Sequence, residues 1–150
     1  MRKPMNEMKI TFPSRSANEG FARSAVASFL SQLDPAVDEL ADLRTAVSEA
    51  VTNCIVHAYG DTIGTITIQM KLYADGRTVI KIRDRGCGIP DVEQAMEPLF
   101  TTGGDDRSGL GFSVMESFTD KLRVSSKPGR GTVVTMEKYI MVKERTAKPL

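Results

Sequence analysis

Apolar and polar residues alternate with a period of two along several stretches of this chain, the mark of strands with one buried face. Met8-Lys9-Ile10-Thr11-Phe12-Pro13 is the first. Thr65-Ile66-Thr67-Ile68-Gln69-Met70-Lys71-Leu72-Tyr73 alternates strongly, and Ala74-Asp75-Gly76-Arg77 turns it into Thr78-Val79-Ile80-Lys81-Ile82-Arg83. Leu122-Arg123-Val124-Ser125-Ser126 and Thr132 to Tyr139 make a second hairpin across Lys127-Pro128-Gly129-Arg130-Gly131. Between the strands the period becomes helical. Phe21, Ala25, Phe29 and Leu33 fall on or near one face, and Ser16 with Glu19 matches a capping box at the start. Asp34 and Pro35 suit the cap and first position of a second helix, which runs to about Tyr59 and ends at Gly60. Phe112, Met115 and Phe118 predict a later helix, and Asp91 to Met96 a short one stopped by Pro98. Residues 1–7 read as loose. Hairpins with intervening helices predict an α+β two-layer sandwich, a mixed, mainly antiparallel sheet covered by helices on one face.

The chain has 150 residues, and its 41% hydrophobic content fits one globular domain, 1–150, with one substantial core. A net charge of +1 gives no electrostatic case for nonspecific nucleic-acid binding. The two cysteines, Cys54 and Cys87, suggest neither a disulfide framework nor a zinc site. No apolar run is long enough to span a bilayer and none resembles a signal peptide, so the expected location is the cytoplasm, without membrane contact.

The second predicted helix carries the first candidate chemistry. Glu49, Asn53 and His57 stand four residues apart. A step of four on an α-helix rotates a side chain by only about 40°, so they share a stripe. Val47, Val51 and Ile55 make a different stripe, suited to a core. A carboxylate and a carboxamide on such a helix need partners. A metal–phosphate site would satisfy both, with the Asn53 amide oxygen on a hard cation and Glu49 free to take a proton from an attacking hydroxyl. His57 is read as a packed or helix-terminal histidine.

Two glycine motifs follow. Asp84-Arg85-Gly86-Cys87-Gly88-Ile89-Pro90 succeeds a strand, which places an acid where it can accept from an amine. The glycines there allow close approach to the backbone. Arg107-Ser108-Gly109-Leu110-Gly111-Phe112 opens a helix, whose free N–H groups and dipole favour an anion, and Arg107 adds a phosphate-matching fork. It is neither the Gly-x-x-x-x-Gly-Lys phosphate loop nor the dinucleotide fingerprint.

The order of these pieces, closed by Gly131-Thr132 before a final strand, resembles the GHKL superfamily of ATP-binding domains over about residues 40 to 137. That superfamily is shared by gyrase, a heat-shock chaperone, mismatch-repair ATPases and sensor histidine kinases. Glu49-Ala50-Val51-Thr52-Asn53, Pro98-Leu99-Phe100-Thr101-Thr102 and Arg107 to Phe112 look like the small serine-protein kinases that are also anti-sigma factors, with the sporulation branch nearest. The likeness extends into Ser14 to Arg23 and reaches the last strand. One departure is Gly103-Gly104-Asp105-Asp106 after the paired threonines, where many superfamily members have lysine. Arg107 is therefore the candidate for the basic phosphate contact.

The resemblance implies a GHKL-type kinase that binds ATP or ADP with Mg²⁺. In it Glu49 would be the general base and Arg107 would act on the phosphates. Asn53 would hold Mg²⁺, and Asp84, Gly86, Gly88 and Thr132 would bind the adenine end. Thr101, Thr102, Ser108, Gly109, Leu110, Gly111 and Phe112 would bind the phosphates, beneath a lid over about 91–108. The implied partners are a sporulation sigma factor, which the chain would inhibit, and an anti-anti-sigma protein phosphorylated on serine. A homodimer is implied as well, and no direct contact with nucleic acid. A stress-response paralogue, or a nucleotide-gated binding module without phosphotransfer, stands as the alternative. A histidine-kinase catalytic domain is disfavoured because the only histidine, His57, lies inside the nucleotide motif.

Overall fold

The computed structural model describes residues 3–97 and 111–141. Five strands, β1 (Asn6–Pro13), β2 (Thr65–Leu72), β3 (Arg77–Asp84), β4 (Lys121–Lys127) and β5 (Gly131–Tyr139), form one sheet in the order β1-β2-β3-β5-β4. The helices are α1 (Asn18–Leu30), α2 (Val37–Asn53), α3 (Val92–Ala95) and α4 (Gly111–Ser117). Both α1 and α4 pack on α2.

The sheet is antiparallel throughout, where the sequence allowed a mixed one. The reason is topological. β4 runs parallel to β3, but β5 inserts between them and pairs antiparallel with both.

One face of the sheet is buried. Ile66, Ile68, Met70 and Leu72 on β2 line it with Ile80 and Ile82 on β3 and Met136 on β5. Across from them α2 buries Leu43, Ala46, Val47, Ala50 and Val51. That spacing is the apolar stripe of an amphipathic helix. Fully burying one such aliphatic side chain contributes about 1.5–3 kcal/mol.

Three local expectations are corrected. The buried face of α1 is Ala22, Val26 and Leu30, one residue on from the expected line, and Phe21 is 54% exposed. Phe21 instead meets the edge of Phe12 with ring centroids 6.0 Å apart. The Ser16–Glu19 capping box does not form. α1 starts one residue later, with Ala17 at the cap, and the Glu19 carboxylate accepts a 2.7 Å hydrogen bond from the Ser48 hydroxyl on α2. Tertiary contact has recruited the carboxylate that would have closed the box. Asp34 does not cap α2 either. It takes a left-handed conformation (φ 54°) at the end of a tight 3-10 turn, Ser31–Leu33, and α2 begins at Val37. Its cap is the Ala36 N–H, which donates to the Glu39 carboxylate at 2.9 Å.

α2 passes at Asn53 into a π-helical turn, Cys54–Tyr59, and the chain leaves it at Gly60, the expected end. Such a turn takes an extra residue per revolution. The stripe therefore shifts after Asn53: Val47 and Val51 are buried, Ile55 only partly.

Candidate functional site

The π-helical turn has a partner that explains it. The loop leaving β3 presses against its end. Cys87 N–H donates to Ala58 O at 3.0 Å, and the Cys87 thiol to His57 O at 3.3 Å. These donors satisfy carbonyls that a helix terminus leaves open. Gly86 makes the approach feasible, since a Cβ there would stand 2.3 Å from Ala58 O. Gly88 serves the other side. It has φ +77°, and a Cβ on it would lie 2.1 Å from Lys127 O. So the chain's own backbone occupies the near side of both glycines, and the Asp84–Pro90 loop is wedged between the π-helical turn and the β4–β5 hairpin.

Asp84 sits at the base of this wedge, 5% exposed. Its Oδ1 accepts from Gly86 N–H at 2.9 Å and from Thr132 N–H at 3.2 Å. Its Oδ2 receives the Cys54 thiol at 3.5 Å, which leaves acceptor capacity on that oxygen. Burial pushes the Asp84 carboxyl above the usual carboxylate range, and the bonds from Gly86, Cys54 and Thr132 oppose that rise. Burial, reinforced by the Asp84 charge, raises Cys54 well above an ordinary thiol. It therefore stays a neutral donor. The Thr132 hydroxyl lies 2.8 Å from that of Ser126, and Ser126 Oγ accepts from Ile89 N–H at 2.8 Å.

A second cluster forms one turn earlier on α2. Glu49 and Asn53 face the start of α4 at Gly111. A Cβ on Gly111 would be 3.3 Å from both terminal atoms of the Asn53 amide and 3.4 Å from Glu49 Oε2. Glycine allows α4 to approach this closely. Among the described residues neither side chain has a hydrogen-bond or ion-pair partner. Phe112, next along α4, packs partly buried against the core and anchors the helix start.

The two clusters join through consecutive residues. Successive helical side chains point about 100° apart, so Asn53 turns toward Gly111 while Cys54 turns toward Asp84. A carboxylate with spare acceptor capacity and a carboxylate–carboxamide pair without partners among the described residues thus flank the end of α2. Among the described residues no three His, Cys, Asp or Glu side chains gather as a metal cage. A hard cation that keeps waters and shares phosphate ligands needs only one protein oxygen, and the Asn53 amide fits that role.

Glu49, Asn53, Asp84, Gly86, Gly88, Gly111, Phe112 and Thr132 are all placed. Thr101, Thr102, Arg107, Ser108, Gly109 and Leu110 lie outside the described residues, as does the lid beyond Glu97. His57 is half-buried and engaged within the π-helical turn. Sequence reading missed Cys54 and Ser126. Cys54 bore a signal, being a small residue one step from Asn53. Ser126 bore none, since only the strand register brings it beside Thr132.

The described residues contain no helix long and apolar enough to cross a membrane. A family model for the histidine kinase-like ATPase domain matches residues 12–138. An anti-sigma F factor of Caldanaerobacter subterraneus is 55% identical over 136 residues, 90% of this chain and 94% of that one. The anti-sigma F factor of Clostridium novyi is 53% identical over 137 residues, covering 90% and 95%. In fold, the chain is similar to the RsbU and RsbW domains of a Mycobacterium tuberculosis protein. There the TM-score is 0.67 at 20% identity, over 93% of this chain and 34% of that one. With a domain model matched over most of its length and relatives above half identity, this chain belongs to the anti-sigma F factors, ATP-dependent serine kinases built on the histidine kinase-like ATPase domain.

Proposed function

We propose that this chain inhibits a sporulation sigma factor and transfers the γ-phosphoryl group of ATP to a serine of an anti-anti-sigma protein, with the α2–α4 junction as its catalytic centre. The observation that carries the reading is the Glu49–Asn53 pair against Gly111, without a polar partner among the described residues. Asp84 would accept the adenine amine through Oδ2, with Oδ1 held by Gly86 and Thr132. Asn53 would hold Mg²⁺, which when bound offsets phosphate charge. Thr101, Thr102 and Ser108 to Phe112 would bind the phosphates, and Arg107 would close over them from the lid.

In the transfer, the serine Oγ–phosphorus bond forms as the bond from the γ-phosphorus to the β–γ bridging oxygen breaks. ADP leaves, and the serine proton passes to Glu49. Phosphoryl transfer depends mainly on alignment and charge stabilisation, so one helix junction on a small sheet suffices. Phosphorylation would weaken the partner's hold and free the kinase for the sigma factor. A homodimer is part of this reading.

Glu49→Gln keeps size and polarity and removes the proton acceptor. It should bind ATP like the wild type and lower single-turnover serine phosphorylation by roughly 10²–10⁴-fold. Wild-type turnover would remove Glu49 from the role of base.

A further inference from the structure

Among the described residues one face of the sheet carries no helix, and the strand register assembles a predominantly cationic surface there. Lys9, Gln69, Lys81, Thr135 and Arg123 lie opposite one another across all five strands. The next row reads Thr11, Thr67, Arg83, Val133, Ser125. These two rows contain four cations and no carboxylate, and all four cations are exposed. None has an ion-pair partner among the described residues. Lys127 extends the surface at one end. The acids of the face, Glu7 and Glu137, are confined to a further row, opposite Lys71 and Lys121, and Glu137 is bonded to Arg77. A shallow depression on this face is lined by Lys9, Thr67, Gln69, Lys81 and Arg83.

A solvated sheet face gains from opposite charges set across strands, and these two rows forgo them, leaving such pairs to the Glu7 and Glu137 row. Within a row its cations stand two strands apart, about 10 Å, with a neutral residue between. The intervening residues are mainly Thr, Ser and Gln, which with Lys and Arg are the side chains that contact phosphate oxygens. A stable protein interface would show an apolar or aromatic centre and few lysines. A single-strand platform would show aromatic rings. These rows have neither. A broad sheet face also cannot enter a groove to read bases.

We propose that the open sheet face binds the phosphate backbone of duplex DNA without reading its sequence. The net charge of +1 argues against this only if charge is evenly spread. The sheet segregates it, and a local field of one sign is what a polyanion meets.

The test uses the full chain and a fluorescein-labelled 25-base-pair duplex of mixed sequence, followed by anisotropy over a salt series. Four phosphate contacts give a slope of about −3 to −4 in log K against log salt. Lys81→Gln/Arg83→Gln should make the slope shallower by about 2 and weaken low-salt binding at least about tenfold. ATP affinity and far-UV circular dichroism should stay as in the wild type. No anisotropy change at low salt overturns the proposal, as does a double variant that binds like the wild type. Tighter binding of the single strand also overturns it. If poly-glutamate displaces the duplex at equal charge concentration, the face reads acidic protein and the DNA assignment fails.

Discussion

Gly86→Ala tests how the Asp84–Pro90 loop, the proposed adenine end, is held. Gly86 does not have a positive φ, so its backbone would accept any L residue. The obstacle is contact alone: a Cβ would lie 2.3 Å from Ala58 O and 2.5 Å from Ala58 C, both backbone atoms. Neither can rotate away as a side chain could, so the loop must move. Overpacking of this kind costs about 1–3 kcal/mol. Moving the loop also stretches the Cys87 N–H bond to Ala58 O, a net loss of about 0.5–1.5 kcal/mol. The sum is about 1.5–4.5 kcal/mol, or a fall in Tm of roughly 3–18 °C for a domain of this size. Asp84 loses the donor at Gly86, so ATP affinity should fall as well. Gly129→Ala is the control. Gly129 has φ +77° but open space around its missing Cβ. Its substitution should cost only the left-handed strain, about 1–2 kcal/mol, and leave ATP binding intact. Thermal unfolding and ATP titration of both variants decide the matter. A Gly86→Ala protein that melts within about 2 °C of wild type and keeps its ATP affinity would refute the wedge.

Three further outcomes follow from the site. Asn53→Ala should lower nucleotide affinity at least about tenfold and abolish its dependence on Mg²⁺; an unchanged dependence in a titration of the folded variant excludes direct ligation. Gly111→Ala should leave stability equal or higher by up to about 1 kcal/mol, because alanine suits a helix better. It should still reduce phosphotransfer, since the methyl presses on Glu49 and Asn53, and thermal melts beside a kinase assay show whether the two effects separate. Asp84 supplies a pH dependence. Its folded carboxyl is raised above the unfolded value, so the folded state binds the proton more readily. Its contribution to stability is therefore favourable at low pH and declines as pH rises through the unfolded and then the folded value. ATP affinity runs the other way, falling as pH drops through the raised value and Oδ2 gains a proton. Asp84→Asn should remove that limb from a pH series of ATP titrations; a limb that persists assigns it to another group.

Much of the sheet was legible because its strands alternate cleanly. A period of two with one buried face leaves little freedom in where Ile66, Ile68, Met70 and Leu72 point. Helix boundaries were less legible. Glu19 and Asp34 carry good capping chemistry, yet tertiary demands used Glu19 to hold Ser48 and Asp34 to close a tight turn. The Glu49–Asn53 stripe was readable from helical spacing, but the π-helical turn that follows it was not. A π-helical turn is dictated by what docks against it, here the loop at Gly86 and Cys87, from another part of the chain. The glycines of that loop were assigned to a ligand's approach, and the structure adds a nearer reason for them in the protein's own backbone. The Cys54–Asp84 contact could not be read from sequence, because it joins a helix end to a strand end 30 residues away.

The same contact divides the two thiols by reactivity. Cys54 is 3% exposed and held neutral beside a carboxylate, so it offers an electrophile little thiolate and less access. Cys87 is exposed, on the loop that frames Asp84. The wild-type chain therefore presents one addressable thiol, at the rim of the proposed nucleotide site. If Asp84 holds the adenine as proposed, a maleimide dye placed there would report its occupancy without engineering the protein, and an ATP-competitive compound bearing a mild electrophile could be tethered at that rim.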